Sequence, residues 1–134
     1  MIFVDTSAWL ALADSRDRDH SRAIELHRRI VRGEFGKQVT SNYVMTETLT
    51  IIRRRLGLPQ ALELAKAVRV GTQVGLFWIE SVHHNEAIEL MASHADKDWS
   101  LTDCSSFVLM RSLAVRDAFT FDRDFTQAGF VARP

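Results

Sequence analysis

The feature that most constrains the fold is an alternation of short apolar segments with longer amphipathic ones. The short segments have the length of buried strands, whereas the longer ones repeat their apolar residues at helical spacing. The predicted strands are Ile2–Val4 and residues 38–40, 75–81, 118–121 and 130–131. Strands that alternate with helices form a parallel sheet covered on both faces. We therefore expect an α/β fold in three layers, α/β/α, with a short parallel sheet of four to five strands.

Amphipathic segments connect these strands. The predicted helices are residues 7–13, 21–31, 42–56, 59–68 and 84–92, and a further helix over the segment "SLTDCSSFVLMRSLA". Gly33 and Gly57 end the second and third of these, because glycine readily adopts the left-handed conformation that follows a helix. Pro59 stands at a helix start, where proline is tolerated. Thr102 is predicted to cap the last helix.

The composition is that of an ordinary globular chain, with 134 residues, 46% of them hydrophobic and 25% charged. We expect one domain over residues 1–134. No apolar run approaches the ~20 residues of a membrane span, and no basic segment precedes an apolar one at the N-terminus. We therefore expect neither a membrane partner nor secretion. The lone Cys104 excludes an internal disulfide and a multi-cysteine zinc site, which fits the reducing cytoplasm.

The charge balance is neutral, with 17 basic and 17 acidic residues. This balance argues against a non-specific nucleic-acid coat but permits local basic patches. Arginine supplies 14 of the 17 basic residues, and its planar guanidinium suits bidentate contact with phosphate. The composition thus favours a phosphate-bearing partner, with an arginine-rich genome as the alternative explanation.

Four carboxylates stand where a parallel sheet gathers functional groups. Asp5 and Asp122 each follow a predicted strand, and ligands bind beyond the carboxyl ends of such strands. Asp103 lies in the first turn of a helix, and Glu47 lies early in the segment "NYVMTETLTIIRRR". Carboxylates grouped at one edge repel each other unless a cation neutralises them. Oxygen ligands favour Mg²⁺ or Mn²⁺ over zinc, and such an ion activates water for attack on a phosphoryl group.

Each acid can also be explained by a structural role, without catalysis or metal binding. Asp5 can cap the helix that follows it, and Asp103 can simply favour the positive end of its own helix. Glu47 lies off the main apolar stripe and can be a solvated residue. Asp124 can be an exposed acid in a turn. Taken one at a time these interpretations stay open, and the combination of the four positions favours a site.

Four motifs in order resemble those of the PIN-domain nuclease family, in particular its small VapC-type bacterial toxins. The motifs are "VDTSAWLAL", "TSNYVMTETLTIIRRR", "WSLTDCSSFVLM" and "AFTFDRDF", and they are distributed over nearly the whole length of the chain. The resemblance implies a PIN-like parallel sheet flanked by helices, an acidic cluster that binds Mg²⁺ or Mn²⁺, and endonucleolytic cleavage of RNA. It also implies a homodimer and a small antitoxin protein that lies over the active site.

The resemblance places the catalytic and metal-binding acids at Asp5, Glu47, Asp103 and Asp122. Asp124 is the substitute for Asp122, because a side chain two residues on can reach back into the site. The side chains that border the pocket and support it by hydrogen bonds are Thr6, Ser7 and Thr102. None of the five histidines is assigned a role.

Contacts with RNA are predicted from charge and aromatic character. Arg53, Arg54 and Arg55 form a basic run at the end of a helix, and a second group comprises Arg28, Arg29 and Arg32. Such a run is also typical of a solvated helix face. Trp99 is the candidate for base stacking, since it precedes the Asp103 motif in a polar stretch. The sequence does not specify which RNA is cleaved or whether one or two metal ions bind.

Two other functions remain open. One is a PIN-domain nuclease in RNA processing rather than a toxin. The other is a catalytically inactive PIN-like module that binds RNA; the presence of all four acids argues against it. The same acids favour a metal-dependent endoribonuclease that is the toxin of a toxin–antitoxin pair.

Overall fold

The computed structural model describes every residue from Met1 to Pro134 and contains five strands and seven helices. The strands are β1 (Ile2–Val4), β2 (Gln38–Ser41), β3 (Val74–Phe77), β4 (Asp117–Phe119) and β5 (Val131–Arg133). The helices are α1 (Thr6–Ala13), α2 (His20–Val31), α3 (Asn42–Arg55), α4 (Leu58–Val70), α5 (Ser81–Ser93), α6 (Leu101–Ser112) and α7 (Arg123–Gln127). No helix combines the length and the hydrophobicity that a membrane span requires.

The five strands form one sheet in the order β3-β2-β1-β4-β5, and every pair is parallel. The central strand β1 is fully buried along its whole length, as expected for a strand with helices on both faces. The predicted α/β fold with a parallel sheet is therefore confirmed.

The core is rich in phenylalanine. Phe107 of α6 packs edge-on against Phe125 of α7, with ring centroids 5.0 Å apart, and against Trp99 at 5.1 Å. Phe3 of β1 stacks on Phe125 from the sheet side. Burial of each such ring stabilises the fold by about 1.5–3 kcal/mol, and the paired geometry adds about 0.5–1.5 kcal/mol. These contacts fix α6 and α7 over the end of the sheet where the acids lie.

Two predicted strands are shorter than expected, and each ends for a local reason. The strand predicted over residues 75–81 stops at Phe77, since the Asn42 side chain accepts the N–H of Ile79 (2.7 Å) and removes it from strand pairing. Helix α5 then begins at Ser81 rather than at residue 84. The strand predicted over residues 118–121 stops at Phe119, because the backbone N–H of Phe121 donates to the Ser7 hydroxyl (2.9 Å).

The predicted cap of α6 is wrong by two residues. Ser100, not Thr102, is the N-cap: its hydroxyl accepts the N–H of Asp103 at 3.0 Å. Asp103 reciprocates, as its carboxylate accepts the N–H of Ser100 at 2.8 Å. This capping box satisfies two amides of the first turn at once, which one threonine inside the turn cannot do.

Candidate active site

The strand order creates a switch point between β1 and β4. From β1 the chain moves outward to β2 and β3, and it then returns to the other side of β1 to form β4. The N–H of Asp5, directly after β1, donates to the carbonyl of Phe119 at the end of β4 (3.1 Å). Ligand sites in open α/β sheets lie outside the strand ends at such a point. Asp5 and the segment after Phe119 therefore share this edge.

Asp5 is a buried carboxylate, 5% exposed, held by three hydrogen bonds to one oxygen. Its Oδ2 accepts from the backbone N–H of Ser7 (3.2 Å), from the Ser7 hydroxyl (2.8 Å) and from the Thr120 hydroxyl (3.1 Å). Burial raises the pKa of Asp5, and these hydrogen bonds oppose the rise. Asp5 is also the N-cap of α1, so the capping interpretation of this residue is confirmed.

A hydroxyl network joins Asp5 to the segment after β4. Ser7 accepts the N–H of Phe121, and Thr120 accepts the N–H of Asp122 at 3.0 Å. Both hydroxyls also donate to Asp5. The network therefore fixes the turn that carries Asp122 relative to Asp5. Thr120 was not predicted as a site residue, although its place two residues before Asp122 is typical of a hydroxyl that orders a turn.

Asp103 projects from the first turn of α6 and is half-buried. The pKa of Asp103 is raised to about 6, mainly by burial and in smaller part by the negative charges of Asp5 and Asp122, while the hydrogen bonds from Ser100 oppose the rise. The charges of these three acids are therefore close enough to interact.

The carboxylates of Asp103, Asp122 and Asp124 form the tightest acidic group, with ligand oxygens that all lie within 4.8 Å of one another. Asp122 is the N-cap of α7 and accepts the N–H of Asp124 at 2.9 Å. Asp124 is half-buried rather than fully exposed. Burial raises its pKa, as do the charges of Asp122 and Asp98. Asp122 and Asp124 thus both reach the site, whereas the sequence offered them as alternatives.

Glu47 joins the site through Thr6. The Thr6 hydroxyl donates to Glu47 Oε2 at 2.6 Å, and Thr6 directly follows Asp5. Glu47 is half-buried on α3 and does not belong to the group of three aspartates. It therefore lies beside the acidic group rather than within it.

The donor set suits a hard divalent cation. Oxygen ligands and half-buried, mutually repelling carboxylates match what Mg²⁺ and Mn²⁺ require. The neighbouring charges of Asp5 and Asp122 contribute, after burial, to the raised pKa of Asp103, and a cation would relieve that repulsion. The residues present thus fit a metal ion.

The arginines at the end of α3 face different directions. All three are exposed, and helical rotation places Arg54, two turns after Glu47, on the same face as that acid. Arg55 instead lines a crevice with Asp14 and Asp17. On the other side of the site, Arg18 and Arg123 line a cleft of about 380 Å³ that includes Asp122. Neither of these two was predicted.

Trp99, the residue predicted to stack on a base, lies in the core instead. Its side chain is 6% exposed, packed between His94 at 4.8 Å and Phe107 at 5.1 Å. Its ring therefore presents no free face for a base. The sequence prediction followed the polar neighbours of Trp99, whereas packing against α6 decides where the ring lies.

Residues 2–131 match the model of the PIN domain family. The chain belongs to the PIN domain family. This match covers nearly the whole chain and includes every acid described above. The predicted family membership and fold are therefore confirmed.

Among PIN-domain relatives, the chain is 37% identical over 131 residues to a 23S rRNA-specific endonuclease, VapC20, from two Mycobacterium tuberculosis strains, CDC 1551 and H37Rv. The alignment covers 98% of this chain and 96% of each relative. The crystal structure of M. tuberculosis VapC20, described as a sarcin–ricin loop cleaving toxin, superposes with a TM-score of 0.90 at 36% identity, over 100% of both chains. FitAcB from Neisseria gonorrhoeae superposes with a TM-score of 0.66 at 13% identity, over 100% of this chain and 97% of that one, and shares the fold.

Proposed function

We propose that this PIN-domain chain is a metal-dependent endoribonuclease that acts as a toxin. The observation that carries the proposal is the convergence of Asp103, Asp122 and Asp124 beside the buried Asp5, at the switch point of a parallel sheet. The relatives named as a 23S rRNA-specific endonuclease and as a sarcin–ricin loop cleaving toxin support the activity.

In this proposal Asp103, Asp122 and Asp124 hold Mg²⁺ or Mn²⁺, with Asp5 offering its second oxygen and Glu47 its carboxylate at the margin. A divalent ion held there would supply positive charge at the scissile phosphate and would activate a water molecule for attack. The hydroxyl side chains near the acids hold the carboxylates in position. Ser7 and Thr120 orient Asp5, as Thr6 orients Glu47, through the hydrogen bonds described above.

We propose 23S rRNA, at the sarcin–ricin loop, as the substrate. The identity of 37% extends over 98% of this chain, so the similarity includes the segments that surround the site. An RNA loop also suits an open edge site, because its unpaired bases are available to protein side chains. The test is cleavage of ribosomal RNA that requires both a divalent metal and Asp103.

Arg54→Ala is expected to weaken RNA binding several-fold. It is also expected to reduce the slope of log Kd against log salt concentration by about one, because one phosphate contact is lost. The physical reason is the position of Arg54 on the Glu47 face of α3. Arg53→Ala is the matched control, since it removes the same charge from a neighbouring position that faces away. Binding is measured by RNA titration between 50 and 200 mM salt, roughly the range over which such contacts weaken. Equal losses for the two variants would contradict the assignment of Arg54.

We propose two protein partners, a second copy of this chain and a small antitoxin. Trp78, 65% exposed, and Val82, 62% exposed, stand four residues apart in the sequence after β3, and each offers exposed apolar surface to a second copy of the chain. The antitoxin is proposed because a cell that makes a toxic ribonuclease must neutralise it. Native mass spectrometry of the chain, alone and co-expressed with the adjacent reading frame, is expected to show a dimer and a complex with a small protein that blocks cleavage. A monomer in both samples would contradict this proposal.

A further inference from the structure

A second cleft opens beside the acids on the α3 side of the site. It has a volume of about 340 Å³ and is lined by Tyr43, Thr46, Glu47, Thr50, Ile51 and Thr102. Glu47 and Thr102 connect it with the acidic site, because Thr102 immediately precedes Asp103 and Glu47 is bound to Thr6. A group that occupies the cleft is therefore adjacent to the scissile phosphate of a bound RNA.

The chemistry of the lining disfavours a negatively charged occupant. No lysine or arginine lines the cleft, and Glu47 would repel a phosphate there. The hydroxyls of Thr46 and Thr50 donate to carbonyls of their own helix, at 2.8 Å each. Their remaining capacity is to accept hydrogen bonds, and their methyl groups add apolar surface. A planar group with N–H donors and no charge suits these walls, and a nucleobase is such a group.

Tyr43 is held in place before any ligand binds. Its hydroxyl and His84 Nδ1 are 2.6 Å apart, and the two rings meet edge to face at 70°. This hydrogen bond ties α3 to α5 and restricts the ring of Tyr43. An aromatic side chain that is already fixed loses little conformational entropy on binding. Bases commonly stack on such rings in single-stranded RNA complexes.

We infer that this cleft, with Tyr43 as its aromatic contact, binds an unpaired nucleobase next to the cleaved bond. The inference rests on the proposed ribonuclease function and extends it to the recognition of a base. The backbone on the far side of that base then runs along α3 toward Arg54. Tyr43 therefore takes the role that the sequence had suggested for Trp99.

The test is a double-mutant cycle that combines variants of Tyr43 with RNAs that each carry one abasic position. Each nucleotide within two of the cleaved bond is made abasic in turn, and kcat/KM is measured for the wild type, Tyr43→Leu and Tyr43→Phe. Removal of one base is expected to cost the wild type about 5- to 100-fold, the value of one stacked base. On intact RNA, Tyr43→Leu is expected to lower kcat/KM by a similar factor. On the RNA that lacks this base, the kcat/KM values of Tyr43→Leu and the wild type are expected to agree within about twofold. Tyr43→Phe keeps the ring and should keep the sensitivity to base removal.

The inference would be overturned if removal of each base lowered kcat/KM by the same factor in Tyr43→Leu as in the wild type. So would a variant that cleaves normally but escapes a neutralising protein, since the cleft would then serve that protein. The same RNAs are bound to the inactive Asp103→Asn chain, so that a base preference is read from Kd as well. Folded wild type that neither binds nor cuts RNA would refute the ribonuclease function itself, and the base site with it.

Discussion

Asp103→Asn is expected to lower RNA cleavage by about 10²–10³-fold or more, because the loss of a metal ligand removes several kcal/mol of stabilisation from the transition state. The same substitution is expected to stabilise the metal-free fold at neutral pH. Loss of activity with a gain in stability distinguishes a functional carboxylate from a structural one. The capping role survives, since the asparagine oxygen can still accept the N–H of Ser100.

The sign of the stability change follows from the raised pKa of Asp103. The pKa is about 6 in the folded chain against an ordinary value of 3.8, so the folded state binds this proton more tightly than the unfolded state. The free energy of unfolding therefore falls as pH rises from about 4 to about 6 and stays reduced above that range. The difference corresponds to at most about 3 kcal/mol. Solvent screening and the lost attraction to the positive end of α6 reduce the expected gain to about 1–2 kcal/mol.

The measurement is urea unfolding with chelator at pH 5 and at pH 7.5, for the wild type, Asp103→Asn and Asp96→Asn. Asp96 is an exposed acid just before α6 and controls for the loss of one charge. The advantage of Asp103→Asn is expected at pH 7.5 and should shrink at pH 5, where the wild-type carboxyl is largely protonated. An Asp103→Asn protein that is less stable than the wild type at pH 7.5 would show that Asp103 is mainly a structural residue.

Asp122→Asn and Asp124→Asn are each expected to weaken Mn²⁺ binding by about 10- to 100-fold, a factor seen even for residues that only support metal ligands. Both carboxylates lie within 4.8 Å of Asp103, and one ion can contact all three. The folds should survive, because asparagine is as good an N-cap as aspartate for α7 at position 122. Metal affinity is measured by isothermal titration calorimetry.

Asp98→Asn is the matched control for this pair. Its charge acts on Asp124, but its carboxylate does not belong to the group of three. We expect a change in Mn²⁺ affinity of less than about threefold, in line with an exposed charge acting through solvent. A loss in Asp122→Asn alone would leave Asp124 outside the coordination sphere. Equal effects of Asp98→Asn and Asp124→Asn would mean that both act only through long-range charge.

The sequence was sufficient for the sheet and for the acids fixed by secondary structure. Asp5 and Asp103 could be placed because one ends a buried strand and the other begins a buried helix. The sequence left Asp124 as either an exposed turn acid or a substitute for Asp122, because α7 is too short to give a periodic pattern. Its formation depends on Phe125, which is buried against Phe3 and Phe107. Such long-range packing is not readable from the local sequence.

The same limit explains why the predicted contact of Trp99 with RNA is wrong and why Tyr43 was not predicted. Trp99 has polar neighbours in sequence but an aromatic environment in space. Tyr43, the aromatic residue that lines a cleft at the site, is not distinguished by its local sequence, since its position is fixed by His84, which lies on a different helix, α5. In contrast, the separation of Arg54 from Arg53 and Arg55 follows from helical rotation alone and needed only the position of Glu47.

The most direct measurement is cleavage of 23S rRNA in intact ribosomes by the purified chain, with Mg²⁺, with Mn²⁺ and with chelator, beside Asp103→Asn. The protein is first shown to be folded and free of any partner. A single cut in the sarcin–ricin loop that requires both the metal and Asp103 is the predicted result. Cleavage that persists in chelator or in Asp103→Asn, or no cleavage of any RNA by the folded wild type, would contradict the proposed metal-dependent ribonuclease.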